Sequence, residues 1–299
     1  MSTLFSQNLS KNNEMLPKET KFTEVLNSIA VVPKKLYFYG KIPQKRLKTV
    51  AIVGTRRPTK YGETEAYRLA YAAARRGVVV VSGLAYGIDS IAHRAALDAG
   101  GVTVAILGTP IDQIYPRPHL PLAAEIVEKG GCVMSELPPG AAYIPKTCFL
   151  QRNRLISGLA DVVVIPEAAE RSGSLNTAAH ALEQGREVFA MPGNIDQPLS
   201  KGCNRLIRQG ATPYLEPDDV LDILFPPERQ RRSAQARLPL GDNAIETMVL
   251  QALAQGVQDG EQIVLQNRLA VTEFNQVMTL LEIKGRVRAL GANRWMLLN

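Results

Sequence analysis

From Thr49 onward the chain alternates between two patterns. Short unbroken apolar runs stand at TVAIVG (49–54), VVVVSG (78–83), TVAILG (103–108), CVMSE (132–136), DVVVIPEA (161–168) and EVFAMPG (187–193). Between them lie segments with apolar residues at helical spacing, such as ETEAYRLAYAAARRG and SLNTAAHALEQG. Several of these segments end in glycine, the residue that accepts the left-handed backbone closing a helix. Continuous Val/Ile runs predict strands buried on both faces, hence a mostly parallel sheet covered by helices on either side. ATPYLE (211–216) adds a last strand, and DDVLDIL closes the domain.

The flanks read differently. Residues 1–20 are polar and aperiodic, and are expected to be a disordered tail. Residues 21–48 predict a short helix and an extended KKLYFYGKI stretch, so the first domain is set at 21–225. PPERQRRSAQARLPLG (226–241) has paired prolines, charge and few apolar residues, the composition of a linker. From 242 to 299, three short helical patterns precede RVRALGANRWMLL, which predicts a hairpin turning at Gly291–Asn293. Three helices and a hairpin are the elements of a winged helix.

Charge matters once it is located. The chain carries a net +7, but residues 49–225 and 242–299 are each −1, and the excess lies in 1–48 (+6) and 226–241 (+3). A polyanion held by the central domain must therefore meet a local cluster of cations. Cys132, Cys148 and Cys203 are scattered, as are His93, His119 and His180. Neither set has metal-ligand spacing, so no metal is expected, and the cysteine usage suits a reducing cytoplasm. No secretory leader is recognised, and no apolar run approaches the ~18 residues of a membrane span.

Ligands of open parallel sheets bind at the carboxyl ends of the strands. Here those ends carry Gly54-Thr55-Arg56, Ser82-Gly83, Gly108-Thr109, Ser135-Glu136, Glu167 and Pro192-Gly193, a phosphate-friendly set of small and polar residues. The first turn, GTRRPTKYG, is not GxGxxG, and GxxxxGK[ST] does not occur, so no nucleotide cofactor is expected. RSGSLNTAAHA offers Ser172, Gly173, Ser174, Asn176 and Thr177 at a helix start, where hydroxyls and free N–H groups suit one phosphate; an ordinary N-cap explains them equally well. KTCFLQRNR adds Lys146, Phe149, Arg152 and Arg154. A ring among cations suits an unpaired polynucleotide, whose bases stack while its phosphates pair. The competing account places Phe149 in the core and pairs the arginines with Glu136 or Glu167. Ser82, Ser174, His93 and His180 form no nucleophile–base constellation. Asp89 reads as a cap or loop carboxylate.

VAIVGTR (50–56), SGLAYGIDSIAH (82–93), VAILGTPIDQIYP (104–116), RNRLISGLADVVVIPEA (152–168), SGSLNTAAHALEQGREVFAMPG (172–193) and SKGCNRLIRQGA (200–211) resemble the DNA-processing protein A family, DprA or Smf. The resemblance spans about 36–225, and the tail from 242 resembles that family's winged-helix module. It implies an extended Rossmann-like, doubly wound fold that binds single-stranded DNA, forms homodimers, protects incoming strands and loads the RecA recombinase in natural transformation. It implies no catalysis, and the cysteine usage and short apolar runs noted above point to a cytoplasmic protein with no membrane partner. By position it implies a strand-end arginine at Arg56, a phosphate-contacting Lys146 and a base-stacking Phe149. Arg152 and Arg154 are its RNR arginines, and Gly83, Ser172, Gly173, Ser174, Thr177 and Asn204 line its backbone-binding crevice. Three residues depart from the pattern: Leu150 stands where proline is usual, Asn176 where an apolar residue is usual, and Pro166 where valine is usual. The family's frequent N-terminal helical domain is absent or reduced to 21–35.

The third helix of the tail, TEFNQVMTLLE, has no Lys or Arg, which favours protein contact over duplex reading. An enzymatic alternative is a nucleotide phosphoribohydrolase of the lysine-decarboxylase-like family. Its PGGxGTxxE turn reads SGSLNTAAH here, without the glutamate.

Overall fold

The computed structural model describes residues 13–141, 147–225, 241–254, 257–267, 269–291 and 293–297. They divide into two compact units, one up to residue 225 and one from residue 241. Residues 1–12 of the expected tail and 226–240 of the expected linker lie outside the described residues.

The first unit is built on a nine-stranded sheet. Its strands are β1 (Asn13–Met15), β2 (Leu36–Gly40), β3 (Thr49–Ile52), β4 (Val79–Ser82), β5 (Thr103–Leu107), β6 (Cys132–Ser135), β7 (Val162–Ile165), β8 (Glu187–Ala190) and β9 (Thr212–Pro213). Their order across the sheet is β1-β2-β6-β5-β4-β3-β7-β8-β9. The strands from β3 to β9 pair in parallel, as the buried Val/Ile runs predict. The KKLYFYGKI stretch supplies β2, which pairs antiparallel with β6, and β1 pairs antiparallel with β2. Residues 13–20 belong to the stretch expected to be disordered. Instead Met15 is buried against the core and Asn13–Met15 join the sheet.

Among the described residues seven α-helices accompany this sheet: α1 (Lys60–Arg75), α2 (Ile88–Asp98), α3 (Leu120–Glu128), α4 (Thr147–Leu159), α5 (Gly173–Glu183), α6 (Lys201–Arg208) and α7 (Pro217–Leu224). Alternate strand residues face opposite layers. Ala51, Val81, Ile106 and Val163 pack with Leu155, Ala178 and Cys203 of α4, α5 and α6. Val50, Ile52, Val80 and Val164 pack with Leu69, Ala92 and Val220 of α1, α2 and α7. Ala105 and Leu107 meet Leu122 and Ile126 of α3. Each fully buried aliphatic side chain contributes about 1.5–3 kcal/mol. Gly77 and Gly185 close α1 and α5 at φ +77° and +66°, the left-handed geometry their positions in the sequence predict.

The second unit contains α8 (Ala244–Ala254), α9 (Gly260–Asn267) and α10 (Val271–Ile283), then a hairpin of β10 (Val287–Gly291) and β11 (Arg294–Leu297). Val249, Leu250, Ile263, Phe274, Met278 and Leu281 form its core. Among the described residues no helix is long and apolar enough to cross a membrane.

Candidate nucleic-acid interface

From β3 the chain winds outward through β4, β5 and β6, then returns to place β7 on the other side of β3. The two halves of the sheet diverge at this switch point, and a crevice opens beyond the carboxyl ends of β3 and β7. Glu167, just past β7, fixes its rim. The Glu167 carbonyl accepts from Thr55 N (2.8 Å), and its buried carboxylate accepts from Thr59 N (2.8 Å) and the Thr59 hydroxyl. A Cβ at Gly62 would lie 2.4 Å from Glu167 Oε2, so the first turn of α1 admits that carboxylate only as glycine. The loop pinned in this way carries Arg56. Arg56 is exposed and has no ion-pair partner among the described residues.

The cavity at the switch point is about 330 Å³ and is lined by Arg56, Phe149, Arg152, Ser172, Gly173, Ser174 and Thr177, among others. A smaller one adjoins it, lined by Arg56, Gly83, Tyr86, Gly108, Tyr115, Phe149 and Arg152. Phe149 is half-buried at the start of α4, neither sealed in the core nor fully exposed. Its backbone seats on Gly108, where a Cβ would lie 2.7 Å from Phe149 Cδ1 and 3.0 Å from its Cα. The Tyr115 ring, half exposed, stands 5.5 Å away at a tilt of 56°.

Arg152 follows Phe149 by three residues, so the two share a face of α4. Its guanidinium is buried and donates to the Gly83 carbonyl (2.8 Å) and to the Ile106 carbonyl, at the ends of β4 and β5. Gly83 must be glycine to receive it, because a Cβ there would come within 2.6 Å of Arg152 Nη1. Burial pushes the Arg152 pKa down to about 10, Asp89 opposes that shift and Arg56 adds to it; the group stays cationic at neutral pH. Asp89 itself is buried in the first turn of α2 and accepts from Gly83 N at 3.0 Å, so it ties the loop after β4 rather than capping the helix. Burial raises its pKa, while Arg152 and the N–H groups of Ala85, Gly83 and Gly54 lower it.

Across the cavity, Ser172 caps α5. Its hydroxyl accepts from Ser174 N (3.3 Å) and lies 2.7 Å from the Ser174 hydroxyl. Asn153 bridges to this turn, donating from Nδ2 to the Gly173 carbonyl (3.1 Å) and Asn176 Oδ1 (3.2 Å). The departure at Asn176 thus supplies a polar tie between α4 and α5. Leu150 is 46% exposed and lines the cavity beside Gly173.

The structure therefore gathers Arg56, Gly83, Phe149, Arg152, Ser172, Gly173, Ser174 and Thr177 around two adjoining cavities. Lys146 lies outside the described residues. Arg154 turns away, and its Nη2 alone donates to both carboxylate oxygens of Glu136 (2.6 and 2.7 Å), its side chain 10% exposed; its Nη1 has no hydrogen-bond partner among the described residues. Asn204 exchanges hydrogen bonds with the Gly193 backbone (2.8 and 3.2 Å) and shapes the loop after β8 rather than lining either cavity. Tyr86, Tyr115 and Asn153 line the cavities without having been singled out in the sequence. Tyr86 and Tyr115 follow β4 and β5, so the strand-end rule alone could have found them.

The Arg154–Glu136 pair gives a separable expectation. Glu136→Gln leaves a mostly buried guanidinium short of a countercharge. Because Glu136 retains about a third of its exposure, the loss should be about 1–2 kcal/mol, below that of a fully buried pair. Urea unfolding measures it. Oligonucleotide affinity should stay unchanged, and a gain in affinity would instead show the released Arg154 reaching the ligand.

Comparison with known proteins follows the same outline. The family model described as DNA recombination-mediator protein A matches residues 13–225. Protein Smf of Escherichia coli is 44% identical over 217 residues, which is 71% of this chain and 57% of that protein, so the chain spans little more than half of that relative. DNA processing protein DprA of Bacillus subtilis is 42% identical over 205 residues, 68% of each protein. Among solved structures, DprA of Streptococcus pneumoniae is similar with a TM-score of 0.65 and 37% identity, covering 74% of this chain and 77% of that one. DNA processing protein A of Helicobacter pylori, whose structure concerns its single-stranded DNA binding mode, gives 0.64 and 32%, covering 72% and 96%. The family model covers well over half of the chain, and the chain belongs to the DNA recombination-mediator protein A family.

Proposed function

We propose that this protein binds single-stranded DNA without catalysis, protects incoming strands and loads the RecA recombinase during natural transformation, acting as a cytoplasmic homodimer. The observation that carries the DNA reading is the convergence of exposed Arg56 and half-buried Phe149 on one cavity rim, from segments more than 90 positions apart. A cation and a ring at that spacing serve a phosphate and a base of one strand. Ser172, Gly173, Ser174 and Thr177 open α5 toward the same space, adding N–H and hydroxyl groups for a second phosphate. Lys146 is assigned to the same strand by its place just before α4. Arg152 contributes charge to the cavity while holding β4 and β5 in place. Arg154 and Asn204 support the crevice through Glu136 and the Gly193 loop. The Helicobacter pylori relative, studied for its single-stranded DNA binding mode, supports this reading.

The absence of catalysis is argued from what the polar groups do. Ser82 donates to the Ile52 carbonyl, and Asp89 is occupied by the Gly83 N–H. The second unit is proposed as a winged-helix domain joined by a 226–241 linker and contacting protein. Its α10 exposes Val271 and Ile283 at 62% and 78% and carries no Lys or Arg.

Fluorescence anisotropy with a labelled thymidine oligonucleotide and a duplex, each at two salt concentrations, tests the central proposal. The single strand should bind tighter. Its log affinity should fall with log salt by about 0.7 per phosphate neutralised. Equal affinity for duplex, or indifference to salt, would refute it.

A further inference from the structure

The rim of the proposed DNA cavity does not end at Arg56. A groove continues from it, first between Arg56, Arg57, Tyr86 and Ile91, then along α1 past Lys60 and Tyr67. Glu63 and Ile91 line both stretches, and Arg56 and Tyr86 also line the cavities at the switch point, so the surface is continuous. Tyr67 and Tyr71 stand one turn apart at its far end, 40% and 39% exposed, their rings stacked with centroids 6.0 Å apart and 16° between planes. The Tyr67 hydroxyl donates to Asp98 at the end of α2 (3.0 Å), which fixes that ring on the surface.

We infer that this groove is a second stacking platform for the same strand: nucleotides beyond those in the switch-point cavity run over Arg57 and Tyr86 and end against the Tyr67–Tyr71 stack. The inference rests on the DNA reading of that cavity. Exposed rings in both stretches of the groove, Tyr86 in the first and Tyr67 in the second, suit bases, because every base presents a stacking face whatever its sequence. Exposed Arg57 and Lys60 line the groove. The two acids along the way are engaged, Glu63 by Lys60 at 3.5 Å and Asp98 by Tyr67. From Lys60 to Tyr71 the helix runs about 16 Å, room for more than one additional nucleotide.

Oligonucleotide length separates the two sites. With thymidine strands of about six and about twenty nucleotides, Tyr67→Ala combined with Tyr71→Ala should weaken the long strand about five-fold or more and leave the short one unchanged. Tyr67→Phe with Tyr71→Phe keeps the rings and should bind the long strand as wild type does. Nitration by tetranitromethane, read at Tyr67 and Tyr71 by mass spectrometry, should be blocked by the long strand and not by the short one. Unchanged affinity for the long strand in the alanine pair overturns the inference, including the case in which that pair only dissociates a dimer. Equal losses for both strands overturn it as well. A Phe149→Ala protein that binds both strands normally removes the cavity reading itself, and this extension with it.

Discussion

Phe149→Ala is expected to weaken single-stranded oligonucleotide binding by about 1–3 kcal/mol, a loss of roughly 5- to 150-fold, with little change in the salt dependence. The magnitude follows from placement. The ring lies on the cavity wall, half-buried, with Gly108 beneath it and Tyr115 at 5.5 Å. It is already held in position, so a base stacking on it loses little ordering entropy. The salt slope counts neutralised phosphates, and this substitution removes none. Arg56→Ala should behave in the opposite way, lowering the slope by about 0.7 together with the affinity. Anisotropy titrations at three or more salt concentrations distinguish the two. A Phe149→Ala protein with wild-type affinity would leave the ring a packing residue.

Acid lability gives the second large expectation. His93 is fully buried on the inner face of α2, with Nδ1 2.7 Å from the Thr103 hydroxyl and Nε2 without a partner among the described residues. Burial, with smaller contributions from His119 and Arg152, pushes its pKa down to about 3. The unfolded chain takes up this proton near pH 6.5, while the folded protein refuses it until about pH 3. Stability is therefore complete above about pH 6.5 and declines as pH falls, by about 1.4 kcal/mol per unit and about 5 kcal/mol at most. Between pH 7 and pH 5, wild type should lose about 2 kcal/mol more than His93→Gln, whatever the variant's starting stability. Urea unfolding at both pH values measures the difference in slope, and parallel curves would contradict the assignment.

Much of this arrangement is legible from local pattern. The Val/Ile runs and closing glycines locate β3 to β8 and their helices because burial on both faces and left-handed caps leave strong local signatures. The pairing of β2 with β6 is not legible, since nothing within LYFYG specifies a partner nearly 100 positions away. The arginines show where reading along the chain misleads. Arg152 and Arg154 stand two apart in RNR, and positions two apart on a helix point to nearly opposite sides. Arg152 shares the face of Phe149 and reaches the crevice, while Arg154 finds Glu136. Met15 shows the opposite effect: a polar stretch with one buried apolar contact joins the sheet once an edge strand is present to receive it.

The outer strands of the large sheet set a limit on how copies of this chain can meet. On one side β1 offers three residues, and on the other β9 offers two, the second of them Pro213, which has no N–H to donate. The β9 margin is too short and too poor in donors to template a further ladder. A second molecule that meets the β9 margin must therefore do so through side chains on the neighbouring helices and loops. The specificity of that contact is then open to tuning by single surface substitutions that leave the backbone scaffold untouched.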